Sequence, residues 1–514
     1  MRKICCLLVS LFTLVSCNNF FPSSSVGVTV PGENSSQTSE QKENIVIDIY
    51  AINDFHGRIE EDKENNVPGI SKLSTYLKEQ KSKNEDGYVF INSGDYWQDT
   101  FDSSSNKGKL LTECLDVMEC EVLALGNHEF DWGVDVISSN NELVSYTSFL
   151  GANIYSYPDN EKSSLGENYK IIERKGLKIG IIGGIGENQI TSITSTVWEY
   201  LTFKNPVGVI KSLSDELRIE KGCDIVILSI HADEEDSYPQ DITKISNVSG
   251  KRYVDAVFNA HSHQEEIKTY NGIPFIQGGS HGKQVSHVQL TYNDGKVKTT
   301  YCNNDGYGDI NDYDEDLKIN QIIDKYFDEE YLSYKNQKVG EIYSYGGFVS
   351  TSYSGKLQAK ATYDYLVDLG YDVDIVINNG GRSSVSLNEA GKYTPVTREQ
   401  IFNMTPFTNY TYVVSNIKGS DIYNECIKYT NPYYWSDLDK EFNQNETYTV
   451  ACIDYMMLHK NKYRNYDYFK TYNEENIVYI IKDYPNVIME KYLSKNKSIN
   501  LNNYNGEHYT YLNA

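Results

Sequence analysis

At 514 residues with 39% hydrophobic content, the chain exceeds one small core and predicts two to three domains. Its 47 basic residues stand against 72 acidic ones, a formal net charge of −25, which argues against binding nucleic acid polymers or anionic membranes through the surface field. An anionic substrate therefore needs cations gathered locally.

The N-terminus opens with Met1-Arg2-Lys3 and runs apolar from Ile4 to Val15, a charged n-region and an h-region too short for a membrane span. It reads as an export signal, and Leu14-Val15-Ser16-Cys17 looks like a bacterial lipobox, which makes residues 1–17 a lipoprotein signal with Cys17 as the lipidated residue. Residues 18–44 are rich in Ser, Asn, Glu and Gln, a tether with too little apolar content to fold. Beyond the signal, Cys114, Cys120, Cys223, Cys302, Cys426 and Cys452 show no CxxC or zinc-finger spacing and read mostly as buried thiols.

From residue 45 the chain alternates short apolar runs with polar clusters. Ile45–Ile52 reads as a strand delivering Asn53-Asp54-Phe55-His56-Gly57-Arg58, and in extended chain Asp54 and His56 would point to one side. Gly69–Lys83 has helical spacing at Ile70, Leu73 and Leu77. Tyr88–Asn92 delivers Ser93-Gly94-Asp95, and after a helix over Leu110–Met118 the run Cys120–Leu125 delivers Gly126-Asn127-His128-Glu129-Phe130-Asp131. Further strands over Leu177–Gly183, Asp224–Ile230 and Val254–Asn259 are expected, the last two delivering His231 and Ala260-His261-Ser262-His263. Asp312–Tyr334 reads as a connecting helix, and Val373–Ile377 as a strand entering Asn378-Asn379-Gly380-Gly381-Arg382.

Strand ends are where open α/β sheets collect ligands. Five of them here carry two carboxylates (Asp54, Asp95), one amide (Asn127) and four imidazoles (His56, His231, His261, His263), besides His128. One ion rarely uses seven donors, whereas two divalent ions about 4 Å apart would, with Asp95 as the natural bridge. Nitrogen and carboxylate donors without thiolate suit Zn, Mn, Fe or Co. Paired cations suit displacement at phosphorus, because they polarise phosphoryl oxygens and supply hydroxide at neutral pH. His128, next to a ligand amide and three residues before Asp131, fits an acid–base or transition-state-stabilising role with Asp131 orienting its ring. Taken singly, each motif reads more readily as turn chemistry; their joint order behind strands carries the functional reading.

Asn53-Asp54-Phe55-His56-Gly57, Gly94-Asp95, Gly126-Asn127-His128-Glu129-Phe130-Asp131, His231 and His261-Ser262-His263 resemble the five blocks of the calcineurin-like metallophosphatases, and more narrowly the exported 5′-nucleotidase and UDP-sugar hydrolase family. The resemblance implies an α/β fold, a four-layer α/β/β/α sandwich over residues 45–305, then a linker helix over 306–340 and a second α+β substrate-binding domain over 341–514. It implies Asp54, His56, Asp95 and His263 around one ion, Asp95, Asn127, His231 and His261 around the other, and His128 with Asp131 as the catalytic dyad. The implied activity is hydrolysis of nucleoside 5′-monophosphates or related nucleotides, with UDP-sugars as further candidates. Other readings are a 2′,3′-cyclic-nucleotide phosphodiesterase or another phosphomonoesterase, and, from a different class, a non-catalytic nucleotide-binding surface lipoprotein.

Over the second domain the resemblance is weaker. Asn378 and Arg382 stand where the family has an Asn-Gly-Gly-Gly-Ile-Arg loop, one residue longer, and Arg382 would hold phosphate or carboxylate through its fork. Phe407, in Met404-Thr405-Pro406-Phe407-Thr408-Asn409, corresponds to a base-stacking Phe, and Tyr455 to a second one. The glycines and the ribose-binding Asp expected after Tyr455 are absent, with Asn461 nearest to that Asp, so the chemistry is better specified than the substrate. The structural alternative is a surface Arg and two core aromatics, and for Tyr455 the core role is the better reading.

Overall fold

In the computed structural model, the described residues are 44–505 apart from 194–196, 198–199, 379, 382–383, 425–432, 437–442 and 459–468. The expected signal, lipobox and tether, Arg382, Cys426 and Asn461 lie outside the described residues. No helix among those described is long and apolar enough to cross a membrane.

The strand Ile45–Ile52, built from Ile, Val and Tyr, sits inside a six-stranded sheet. It pairs in parallel with Tyr88–Asn92 on one side and antiparallel with Gln284–Asn293 on the other. Val122–Ala124 and Ser148–Leu150 continue the parallel side, and Lys296–Gly306 closes the antiparallel edge. A second six-stranded sheet has the order Glu265–Tyr270, Ile273–Gly278, Ala256–Phe258, Ile225–His231, Leu177–Ile185, Tyr169–Arg174.

Alternation along the strands explains the layering. Ile47, Ile49, Val89 and Ile91 of the first sheet share one dry core with Ile179, Ile181, Ile225 and Ile227 of the second. The opposite face of the first sheet, with Tyr50, Ile52 and Phe90, packs on Ile70, Leu73 and Leu77 of the helix Gly69–Lys83 and on Leu110, Leu111 and Leu115 of the helix Lys109–Val117. The outer face of the second sheet, with Val226, Leu228 and Phe275, meets Ile210, Leu213 and Leu217 of the helix Pro206–Ile219. That helix starts at Asn205, whose side chain accepts from the Val207 N–H, with Pro206 at its first turn. The result is the expected four-layer α/β/β/α sandwich.

One expectation is corrected. The connecting helix over Asp312–Tyr334 is two helices, Leu317–Tyr326 and Glu329–Lys335, because the Asp328 carboxylate accepts from the Tyr331 N–H and begins a new helix. The rest of the chain is α+β. A five-stranded sheet contains Ile375–Asn378, Thr447–Ile453, Thr411–Lys418 and Ile477–Ile481 with Tyr433–Ser436 at its edge, and a three-stranded sheet pairs Lys338–Ser344 with Lys392–Thr397 and Ser498–Asn500. The helices Thr351–Asp368 and Pro485–Asn496 pack over them through Leu357, Ala361, Ile488 and Leu493. Cys114, Cys120 and Cys223 are buried free thiols, Cys302 is a partly buried one, and Cys452 is buried.

Lys335, the last residue of the second connecting helix, is buried, with Nζ 2.8 Å from Asp102 Oδ1, 3.2 Å from Glu399 Oε1 and 3.6 Å from Glu60 Oε2. Burial works against its charge, but the Asp102 carboxylate outweighs it and holds the ammonium above its ordinary range. Removing the cation from such a group strands a buried carboxylate, so Lys335→Met is expected to destabilise the fold by about 3–5 kcal/mol. Urea unfolding followed by circular dichroism would read this, and a loss below about 1 kcal/mol, as at an exposed pair, would rule it out.

Candidate metal and catalytic site

The seven predicted donors meet at the carboxyl ends of the parallel strands. His56 Nε2 lies 2.9 Å from His263 Nε2 and 4.0 Å from both Asp54 Oδ1 and Asp95 Oδ2, while His263 Nε2 is 3.5 Å from Asp54 Oδ1. On the other side of Asp95, His231 Nε2 is 3.1 Å from Asp95 Oδ2 and 3.1 Å from Asn127 Oδ1, and His261 Nδ1 is 3.0 Å from the same Asn127 oxygen. The ligand atoms of Asp54, His56 and His263 lie within 4.8 Å of one another, as do those of Asp95, His231 and His261.

The loops reach this point by a route that strand alternation does not describe. The first strand ends at Ile52, so Asp54 and His56 do not share a strand face. Both instead adopt left-handed backbone, with φ of 46° and 53°. Asp95, His261 and His263 do the same, with φ of 52°, 76° and 58°. Left-handed conformations at non-glycine residues cost on the order of 1–3 kcal/mol each and collect at functional sites. Glycines allow the loops to close in: a Cβ on Gly126 would lie 2.4 Å from Asp95 Oδ1, and one on Gly94, at φ +94°, would lie 2.7 Å from the Ala124 carbonyl.

The donor set fits divalent metal. His56 Nδ1 faces the Gln98 carbonyl at 3.2 Å and His231 Nδ1 faces the Ser93 carbonyl at 3.0 Å. A carbonyl only accepts, so each ring donates from Nδ1 and presents Nε2 to the cluster. Burial, aided by His231, lowers the His261 pKa to about 4 and keeps that ring neutral, the form that ligates. Burial raises Asp54 to about 7, whereas Asp95, despite burial, is held well below the carboxylate range by His231, His128 and His56. Two buried carboxylates amid imidazoles form a cavity for positive charge.

Outer contacts hold the donors. Asn53 Nδ2 donates to Asp54 Oδ2 at 2.7 Å and to the Gly279 carbonyl at 2.7 Å. Glu129, to which the sequence motif alone assigns no chemistry, is fully buried and accepts from the backbone N–H groups of Asp95, Tyr96 and Gly126 at 2.9, 2.8 and 2.8 Å. It thereby clamps two donor loops together. His128 Nδ1 is 2.8 Å from Asp131 Oδ2, and its own backbone N–H donates to Asp95 Oδ1 at 2.8 Å. His281 lies beside the cluster, its ring 5.8 Å from that of His56, whereas His287 is in a strand and bonds Asp48 at 2.8 Å.

The predicted substrate residues are not assembled to the same degree. Asn378 is buried at a strand end, where its side chain bonds the Gly355 carbonyl and the Gly380 N–H, holding its own loop. Phe407 is half-buried, and Tyr455, at 42% exposure in the helix Asp454–Met457, is no core aromatic. A cavity of about 400 Å³ beside Asp131 is lined by Trp132, Thr408, Tyr410, Asp454 and Tyr484, without Phe407 or Tyr455.

Residues 47–265 match the family model of the calcineurin-like phosphoesterases. Among curated proteins, an apyrase from Tabanus yao is 30% identical over 229 residues, 42% of this chain and 39% of that protein. The endonuclease YhcR of Bacillus subtilis is 24% identical over 441 residues, 79% of this chain and 34% of that protein. The chain thus spans 39% and 34% of the lengths of these two relatives. Among solved structures, a 5′-nucleotidase precursor from Thermus thermophilus superposes with a TM-score of 0.68 at 16% identity, covering 88% of this chain and 97% of that one, which establishes the common fold.

Proposed function

We propose that this chain, whose residues 47–265 match the calcineurin-like phosphoesterases, is a metal-dependent phosphoric ester hydrolase acting on nucleoside 5′-monophosphates or related nucleotides. The observation that carries the reading is the convergence of seven nitrogen and oxygen donors from five separate strand ends on one buried point. Asp54, His56, Asp95 and His263 would hold one divalent ion, and Asp95, Asn127, His231 and His261 a second, with Zn, Mn, Fe and Co all suited to these donors. When bound, such a pair polarises phosphoryl oxygens and makes water nucleophilic at neutral pH.

The chain's own residues supply the rest. Asp131 accepts a hydrogen bond from His128 Nδ1 and stabilises the imidazolium form, whose Nε2 proton would pass to the departing oxygen and leave the neutral ring. Glu129 and Asn53 keep the donor loops from relaxing as charge changes at the centre. With a formal charge of −25, the protein's net field opposes the approach of a phosphate ester, so its binding calls for cations held locally. Phe407 and Tyr455 would face the base, with Arg382 toward the phosphate; UDP-sugars belong to the same substrate class. The names of the relatives, apyrase, endonuclease and 5′-nucleotidase, support nucleotide substrates. The export signal and lipid attachment at Cys17 rest on the sequence motif and put the enzyme outside the cytoplasm, on a membrane surface.

The test is phosphate release by the full chain with added Mn or Zn, across nucleoside monophosphates, UDP-sugars and cyclic nucleotides. Release from a monophosphate, lost on chelation and restored by metal, is expected. Absence of release from every member of the panel would leave a nucleotide-binding lipoprotein as the better reading.

A further inference from the structure

Gln98 is 1% exposed and lies three residues beyond Asp95, yet it bonds in two directions. Its backbone carbonyl receives the His56 Nδ1 proton at 3.2 Å. Its side-chain Nε2 donates to the carbonyl of Pro406 at 3.0 Å, across 308 residues of chain. Two residues further on, the Thr408 hydroxyl donates to the Asp131 carbonyl at 2.8 Å. The tripeptide Pro406-Phe407-Thr408 is therefore fastened at one end to the residue behind a metal-facing imidazole, and at the other to the residue that orients His128. Phe407 is the residue between the two fastenings.

The arrangement depends on the donor chemistry of Gln98. The amide of Gln98 cannot be flipped, because its oxygen would then face the Pro406 carbonyl. In the orientation present, Oε1 is buried with no hydrogen-bond partner among the described residues. An orphaned buried acceptor is unfavourable by itself, so Gln at this position is explained by its donor and not by general packing. The next residue, Asp99, has φ of 120°, a region that favours glycine, and its carboxylate is held by Arg58 Nη2 at 2.9 Å. The turn carrying Gln98 is thus pinned from behind.

We propose that Gln98 and Thr408 form a two-point latch that fixes Phe407 between the loop behind His56 and the loop carrying Asp131, making Gln98 a positioning residue for substrate selection. The proposal rests on the function reading above and deepens it. A ring stacked on Phe407 is held in register with phosphate at the cluster only while both fastenings are made. Two esters that share ribose and phosphate but differ in the base should therefore respond differently to the latch.

The experiment compares Gln98→Leu, Thr408→Val and Thr408→Ser with the unaltered chain. The substrates are the nucleoside 5′-monophosphate turned over best and ribose 5-phosphate, which lacks the base. Gln98→Leu keeps the backbone carbonyl for His56, so bound metal should stay at the wild-type level. In Gln98→Leu and Thr408→Val, kcat/KM for the nucleotide should fall about tenfold, the scale of one lost base–aromatic contact, and that for ribose 5-phosphate far less. The loss should lie mainly in KM, and Thr408→Ser, which keeps the hydroxyl, should restore the nucleotide preference. An unchanged preference in both disabling variants would overturn the latch, as would an equal loss for both esters with loss of metal, which marks Gln98 as mere support for the metal loop. Where the unaltered chain turns over neither ester, the function reading has failed. The latch is then judged by amide hydrogen exchange over residues 404–410, expected faster in Gln98→Leu and Thr408→Val, and refuted if unchanged.

Discussion

Asp95→Asn is expected to remove turnover almost entirely and, on the proposed two-ion reading, to lower bound metal toward about one ion per chain. Asp95 is the carboxylate that faces both halves of the cluster, with Oδ2 3.1 Å from His231 Nε2 and 4.0 Å from His56 Nε2. It is also held firmly ionised, since three imidazoles outweigh the effect of its burial. An Asn of the same shape keeps one oxygen and loses the negative charge that two adjacent cations need between them. Loss of an outer partner of a metal ligand costs roughly 10–100-fold in affinity or activity, and loss of the shared ligand should exceed that. Metal analysis after dialysis, alongside phosphate release, reads both effects. Full metal content with activity within a few-fold of wild type would show that Asp95 does not bridge.

His128→Ala should leave metal bound and lower kcat by about 10²–10⁴-fold, the range for a positioned acid. The ring belongs to the site by its hydrogen bond to Asp131 and by its backbone bond to Asp95, not by standing among the donors of both halves. One of its ring nitrogens nonetheless lies near the donors of His56 and Asp95, so a ligand role is a concrete competitor. The two roles separate on one measurement each. A ligand's loss lowers metal content, whereas an acid's loss is relieved by an ester with a good leaving group, such as p-nitrophenyl phosphate, which departs without protonation. Metal depleted in His128→Ala, with both kinds of ester slowed alike, would remove His128 from the acid role.

Much of the sandwich is legible because its strands are short, apolar and punctuated by glycine. Ile45–Ile52, Tyr88–Asn92 and the helix Gly69–Lys83 have the boundaries expected from periodicity. The other expected strands differ by one or two residues at their ends; Cys120–Leu125, for example, shortens to Val122–Ala124. The connecting helix departs from expectation because its apolar spacing continues through Phe327, while the break depends on a local capping bond at Asp328. In the second half, aromatic character alone assigns Tyr455 to the core, and its exposure does not follow from identity. Glu129 carries a weak signal: a carboxylate inside a glycine- and amide-rich loop following a buried strand is either a ligand or a clamp. Three backbone donors around it decide for the clamp.

The sequence by itself determined the chemical inventory and its order, namely which donors follow which strand and that sulfur is not among them. These are local properties, set by side-chain identity and by periodicity over a few residues. Tertiary structure alone decided how the donors meet. The left-handed turns at Asp54, His56, Asp95, His261 and His263 accompany loops closing on one another past Gly94 and Gly126; Asp and His tolerate this region better than most residues, but that tolerance does not select these five positions. The same holds for the bond from Gln98 to Pro406, whose partners are 308 residues apart and have no short-range reason to be read together. A contact of that kind exists only once both halves have folded and their surfaces have been brought into register.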